Sequence, residues 1–156
     1  IGLIGIILFI AIIYSGFVKL MQILSKATFK DLFISFAFIN LPLAFAYHMA
    51  HNLNHLIREG ACLVGLISNP LGAGMLPLSM MEKHERMTLW FSQDTLAGLQ
   101  AALMMFGYWV AIQVIRYRST SLGLTSRFHL LPILFYTVLV TVLLLWMLAQ
   151  PMTMRM

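Results

Sequence analysis

Leu130 to Ala149, LLPILFYTVLVTVLLLWMLA, runs the full depth of a bilayer without one charged side chain. About 20 apolar residues at a rise of ~1.5 Å each match a hydrocarbon core of ~30 Å. Lipid offers no hydrogen-bond partner to a backbone, so such a segment has to satisfy its own amides, and a helix does so. Three further apolar stretches, 1–24, 32–57 and 95–117, repeat the pattern. The chain is 61% hydrophobic and only 10% charged, where a soluble domain is about a quarter charged. The expected fold is therefore all-α: a single integral membrane four-helix bundle, with one long outer loop carrying short interfacial helices. The chain opens directly inside an apolar run, IGLIGIILFIAII. That makes a part of a longer chain or complex the expectation.

Pro42 lies within the second span, where it removes a backbone bond and is expected to kink the helix near its middle. Lys19, near the end of the first span, can extend its charge to the headgroups. Between spans two and three, ACLVGLIS is too short to cross alone and is expected in or just below the interface. MEKHERMTLWF reads as a short amphipathic helix with Trp90 at headgroup level. Ser92 or Asp94 is the expected N-cap of span three.

Basic residues in short connections set orientation. Lys26 and Lys30 precede span two, and Arg116, Arg118 and Arg127 join spans three and four without an acid. The first and third connections are thus expected in the cytoplasm. Both ends and the 58–94 loop then fall on the outer face, the periplasmic side if the membrane is a bacterial inner membrane. The net charge of +5 is explained by this topology, and no nucleic-acid signal accompanies it.

The second span ends in YHMAHNLNHLIREG, which holds three of the chain's five histidines. At about 100° per residue and with His48 as zero, His51 falls near 300°, His55 near 340°, and Asn40 and Arg58 near 280°. These residues form one stripe about 80° wide, and lipid cannot satisfy it. It is expected to face protein, a cofactor or a wet cavity. The plainer alternatives are that His55 and Arg58 sit among headgroups and that His48 hydrogen-bonds a neighbouring helix.

Several cofactors suit such a stripe. A quinone needs a hydrogen-bond donor and a proton acceptor beside an apolar cleft, and neutral histidine supplies both. Haem b at His48 or His55 would take its second axial ligand from another helix, a methionine or a partner subunit, because axial ligands approach from opposite faces. Arg58 would hold a haem propionate. His129 is expected at the opposite face of the membrane and His84 in the loop. His51 and His55, spaced i, i+4, can share a metal ion. Copper(I) would add soft ligands such as Met152 and Met154, in QPMTMRM after span four. The chain has twelve methionines, and methionine is also an ordinary filler of apolar helices.

Gln100 and Gln113 in span three need partners and are read as interhelical hydrogen-bonding groups. No nucleophile–base pair, paired carboxylates or phosphate loop supports hydrolytic chemistry. The one cysteine, Cys62, leaves no four-thiolate set for an iron–sulfur cluster within this chain.

The stretches AYHMAHNLNHLIREG, LISNPLGAG and LPILFYTVLVTVLLLWMLAQPM resemble the membrane part of bacterial polyferredoxin-like 4Fe–4S electron-transfer proteins, from roughly Leu41 to Met152. The resemblance implies a membrane subunit passing electrons between a quinone pool and a periplasmic or membrane redox partner. His48, His51 and His55 match its histidine motif. The CxxCxxCxxxC ligand sets of such proteins are absent here, so the clusters are expected on another portion, on another subunit, or not in this protein at all. The expected function is thus that of a membrane subunit of a respiratory-type electron-transfer complex, a component of a quinone-linked oxidoreductase. Two alternatives stand beside it: a copper-handling membrane protein, and a cofactor-free structural subunit.

Overall fold

A computed structural model of the chain describes residues 2–68, 92–124 and 126–150. Among the described residues five helices follow in order: α1 (Gly2–Ser25), α2 (Phe29–Ala37), α3 (Asn40–Ser68), α4 (Gln93–Ser121) and α5 (Arg127–Ala149). They make four membrane-crossing elements, because α2 and the first part of α3 together form the second span. The described residues contain no strand, and the all-α four-helix membrane architecture is as expected.

Each helix buries one stripe. On α1 it is Tyr14, Val18 and Met21; on α2, Leu32 and Phe36; on α3, Leu43, Ala46 and Ala50. On α4, Met104, Ala111 and Ile115 face inward, and on α5, Ile133, Tyr136 and Thr137. The i, i+3/i+4 spacing places these residues on single faces. The outward faces are just as apolar, with Ile12, Leu41, Phe45, Phe106 and Phe135 exposed, as surfaces bathed in lipid must be. Threonines of α5 remain buried by returning their hydroxyls to their own helix, Thr137 to the Ile133 carbonyl at 2.7 Å and Thr141 to that of Thr137 at 2.8 Å.

The second span departs from the expected gentle kink. Helix α2 stops at Ala37, a turn occupies Phe38 and Ile39, and α3 starts at Asn40. Pro42 therefore sits in the first turn of α3, where its missing N–H costs nothing, and not in a helix interior. The break is held by side chains. Asn40 donates its amide to the Ala37 carbonyl (3.3 Å), and the Tyr136 hydroxyl donates to the Asn40 Oδ1 (2.7 Å). The Tyr14 hydroxyl donates to the carbonyl of Phe33 at 2.6 Å. Tyr14, Phe17, Phe33 and Tyr136 enclose this polar group, with ring centroids 4.9 to 5.7 Å apart for Tyr14–Phe33, Tyr14–Tyr136 and Phe17–Tyr136.

A second departure concerns ACLVGLIS, expected as a separate interfacial piece. It continues α3 without interruption to Ser68. Hydropathy falls at Arg58 and Glu59, but helical hydrogen bonding is indifferent to that fall, and a single glycine at 60 costs only about 1 kcal/mol. The same holds for α4, which outlasts its apolar run and ends at Ser121. What stops it is Gly123 at φ 68°, with Gly123 N–H bonded to the Thr120 carbonyl (3.1 Å) and Leu124 N–H to that of Ser119 (2.9 Å). This is a Schellman closure, in which glycine takes the left-handed position without a Cβ clash. At its other end, Ser92 and not Asp94 is the N-cap, its hydroxyl accepting from Thr95 N–H at 3.2 Å.

Helices α3 and α4 form the closest pair. A Cβ on Gly107 would overlap that of Ala46 and lie 3.0 Å from the Pro42 carbonyl oxygen. Small residues on both sides let the two backbones approach, the usual route to tight packing in lipid. Among the described residues one side-chain hydrogen bond crosses the seam: Gln100 donates to the Ala50 carbonyl at 2.9 Å, as expected of that residue. Gln113 makes no hydrogen bond among the described residues and instead lines a groove on the bundle surface.

Candidate functional site: the histidine face of helix α3

The inward stripe of α3 decides where its histidines point. Ala46 and Ala50 pack against Met104 of α4, with Tyr47 and residues of α5 at the edge of that cluster. Relative to His48, those alanines lie near 160° and 200° on the helical wheel, roughly opposite the histidine stripe. Exposure follows the wheel. Asn40, Tyr47 and His51, nearest the buried face, are half-buried, whereas His48 and His55 are exposed on the bundle's outer surface. The stripe exists as expected, but among the described residues no helix covers its His48 and His55. It faces whatever surrounds the bundle.

Tyr47, at the edge of the stripe, forms a ladder along successive turns with His51 and His55. Tyr47 stacks on His51 with centroids 5.9 Å apart and planes 20° from parallel. His51 meets His55 edge-on at 6.0 Å. His48 is set beside the ladder by Asn52, whose amide donates to the His48 carbonyl at 2.8 Å and lies 3.3 Å from the imidazole nitrogens. The same amide is equidistant from both ring nitrogens, so it steadies the ring without selecting which of them carries the proton. Because His48 is exposed, its ring is open to a hydrogen-bonding group approaching from outside the bundle.

Asn40, which shares the stripe by angle, belongs instead to the bundle core through Tyr136. Arg58 falls on α3, but its side chain is outside the described residues, as are Met152, Met154, His84 and the segment carrying Trp90. Among the described residues no three His, Cys, Asp or Glu side chains come together as a metal-holding group; His51 and His55 provide two. His129 sits in the first turn of α5, at the end of the bundle away from the ladder. Its Nδ1 is buried without a hydrogen-bond partner among the described residues.

No protein-family model, curated protein or solved structure matches the chain.

Two parts of the site were not anticipated. Tyr47 lies outside the polar stripe by residue type, although its i, i+4 spacing to His51 is the signal for a stacked pair. Asn52 stood outside the stripe by angle. Its effect on His48 comes through an i, i+4 contact across the stripe's edge.

Proposed function

We propose that this chain is a membrane subunit of a respiratory-type electron-transfer complex, with the α3 histidine face as its contact for a lipid-soluble quinone. The observation that carries the reading is that His48, held by Asn52, is exposed on the outer surface of an apolar bundle. A polar ring there needs a hydrogen-bonding occupant, and a quinone reaches that surface from within the bilayer. A quinone supplies two-electron, two-proton redox chemistry. For this chain, His48 donates its ring N–H to an accepting oxygen, Asn52 holds the ring in place, and the Tyr47–His51 stack limits the rotation of the neighbouring ring. His51 and His55 stand ready to take or release a proton at their nitrogens.

The reading extends the resemblance to polyferredoxin-like electron-transfer proteins. It places the chain in a bacterial inner membrane, with the basic connections in the cytoplasm and α3 rising toward the periplasm. The iron–sulfur carriers belong to another portion or a partner subunit. Haem ligated by His48 or His55, with Arg58 on a propionate, and copper held by His51, His55, Met152 and Met154 are the competing uses of the same face.

An absorption spectrum and a metal analysis of the purified protein separate these. The quinone reading expects no Soret band, no stoichiometric copper and a co-extracted quinone. A reducible Soret band would replace it with haem, and one copper per chain would replace it with copper handling. In membranes, His48→Ala is expected to lower quinol-linked electron transfer about tenfold, the worth of one well-placed hydrogen bond, with His84→Ala near wild type. Equal rates in the two variants would overturn the assignment to His48.

A further inference from the structure

The break between α2 and α3 leaves a groove of about 740 Å³ on the surface of the bundle, within the range of about 300–1,000 Å³ typical of ligand pockets. Its walls are Phe38, Leu41, Pro42 and Phe45 on one side and Val110 and Val114 of α4 on the other. Leu41 and Phe45 are 69% and 65% exposed, so the groove opens sideways toward lipid. It has one polar end, made by Gln113, Tyr117 and Arg118.

The Arg118 guanidinium is braced there, 4.8 Å over the ring of Phe38 and 5.8 Å from that of Tyr117. No carboxylate pairs with it among the described residues. Arg118 lies one turn before the end of α4, which places its charge at headgroup level. Val110, eight residues back, is about 12 Å deeper. Arg116 and Arg127 are exposed at the same end of the bundle. The nearest acid in sequence at this end, Asp31 in the first turn of α2, accepts from the hydroxyl of Thr28, the N-cap of that helix. An apolar trough that rises to an unpaired, aromatic-braced cation amid further cations complements an amphiphile with an anionic head and a hydrocarbon tail.

We propose that the α3–α4 groove binds an anionic phospholipid, with the phosphate on Arg118 and one acyl chain along Phe45, Leu41 and Val114. Arg118 offers a planar fork of donors to phosphate oxygens, and basic pockets between membrane helices are suited to acidic headgroups. Gln113 donates to the ester region just below. The site is separate from the histidine face and does not depend on what that face carries.

The test uses the full chain in mild detergent, probed by native mass spectrometry with phosphatidylglycerol and, separately, phosphatidylcholine of identical acyl chains. One phosphatidylglycerol per chain is expected to persist where phosphatidylcholine is stripped. Arg118→Gln should lower phosphatidylglycerol occupancy about fivefold, the effect of one cation near the membrane surface. Val114→Trp, which fills the trough and leaves the cation, should lower it as well. Circular dichroism checks that both variants retain their helices. Equal retention of the two lipids, retention unaffected by both substitutions, or a quinone held in place of phospholipid would overturn the proposal.

Discussion

Gly107→Ala is expected to destabilise the bundle by about 1–3 kcal/mol, the range for overpacking a tight interface. Elsewhere in a helix the same change is favourable by about 1 kcal/mol, because alanine loses less backbone entropy. The sign therefore reports the seam. A Cβ at 107 meets the Ala46 methyl and the Pro42 carbonyl oxygen, whereas one at Gly98, on the same helix, meets nothing within 4 Å. Unfolding in mixed micelles, followed by helical circular dichroism, should show Gly98→Ala unchanged or slightly more stable and Gly107→Ala less stable. Ala46→Gly should recover part of the loss, since it removes the methyl that clashes. The Pro42 carbonyl cannot be trimmed, so rescue stays incomplete. If both glycine variants were equally stabilised, α3 and α4 would not approach as described. The consequence reaches the candidate site: turning or lifting α3 away from α4 would redirect His48 and the Tyr47–His51–His55 ladder.

The second large effect concerns the hydrogen bond between Tyr136 and Asn40, which joins residues 96 apart in sequence at 2.7 Å. Tyr136→Phe keeps the ring and its packing but leaves the Asn40 oxygen without its donor. The expected cost is about 1–2 kcal/mol, between the modest mean for interhelical bonds in lipid and the full penalty of a stranded polar atom. Asn40→Leu should cost at least as much, because it strands the Tyr136 hydroxyl and also removes the amide that caps the Ala37 carbonyl. The double variant should then be less destabilised than the sum of the singles, with a coupling above about 0.5 kcal/mol. Simple additivity in the same micelle unfolding measurement would show that the pair does not hold the break.

The groove depends on that break as well. Phe38 and Pro42 line it from either side of the turn, so a continuous helix through 38–40 would present a different wall. The polar core of the bundle and the proposed lipid site are consequences of one interruption in the second span.

Much of this protein was legible residue by residue. Lipid forbids unsatisfied backbone, so four apolar runs meant four helical crossings. Histidines at 48, 51 and 55 had to share a side of any helix that carried them, because 3.6 residues make a turn. Serine before an apolar run capped it. These are local rules, and they hold whatever the neighbours are.

What only the tertiary structure decided was which side of each helix met which partner. Hydropathy is nearly uniform around α4 and α5, and on α3 its polar side is not the side that packs on protein, so it cannot distinguish a face that packs on protein from one that meets lipid. The choice was made by shape, where Gly107 lets Ala46 and Pro42 come close and turns the imidazoles outward. It was also made by a few polar groups finding each other across the bundle. Asn40 looked like a member of the histidine stripe, yet Tyr136 of α5 drew it into the core. Pro42 announced a disturbance in the second span, but its place in the first turn of a new helix depended on Asn40 and Tyr136 to hold the interruption that precedes it.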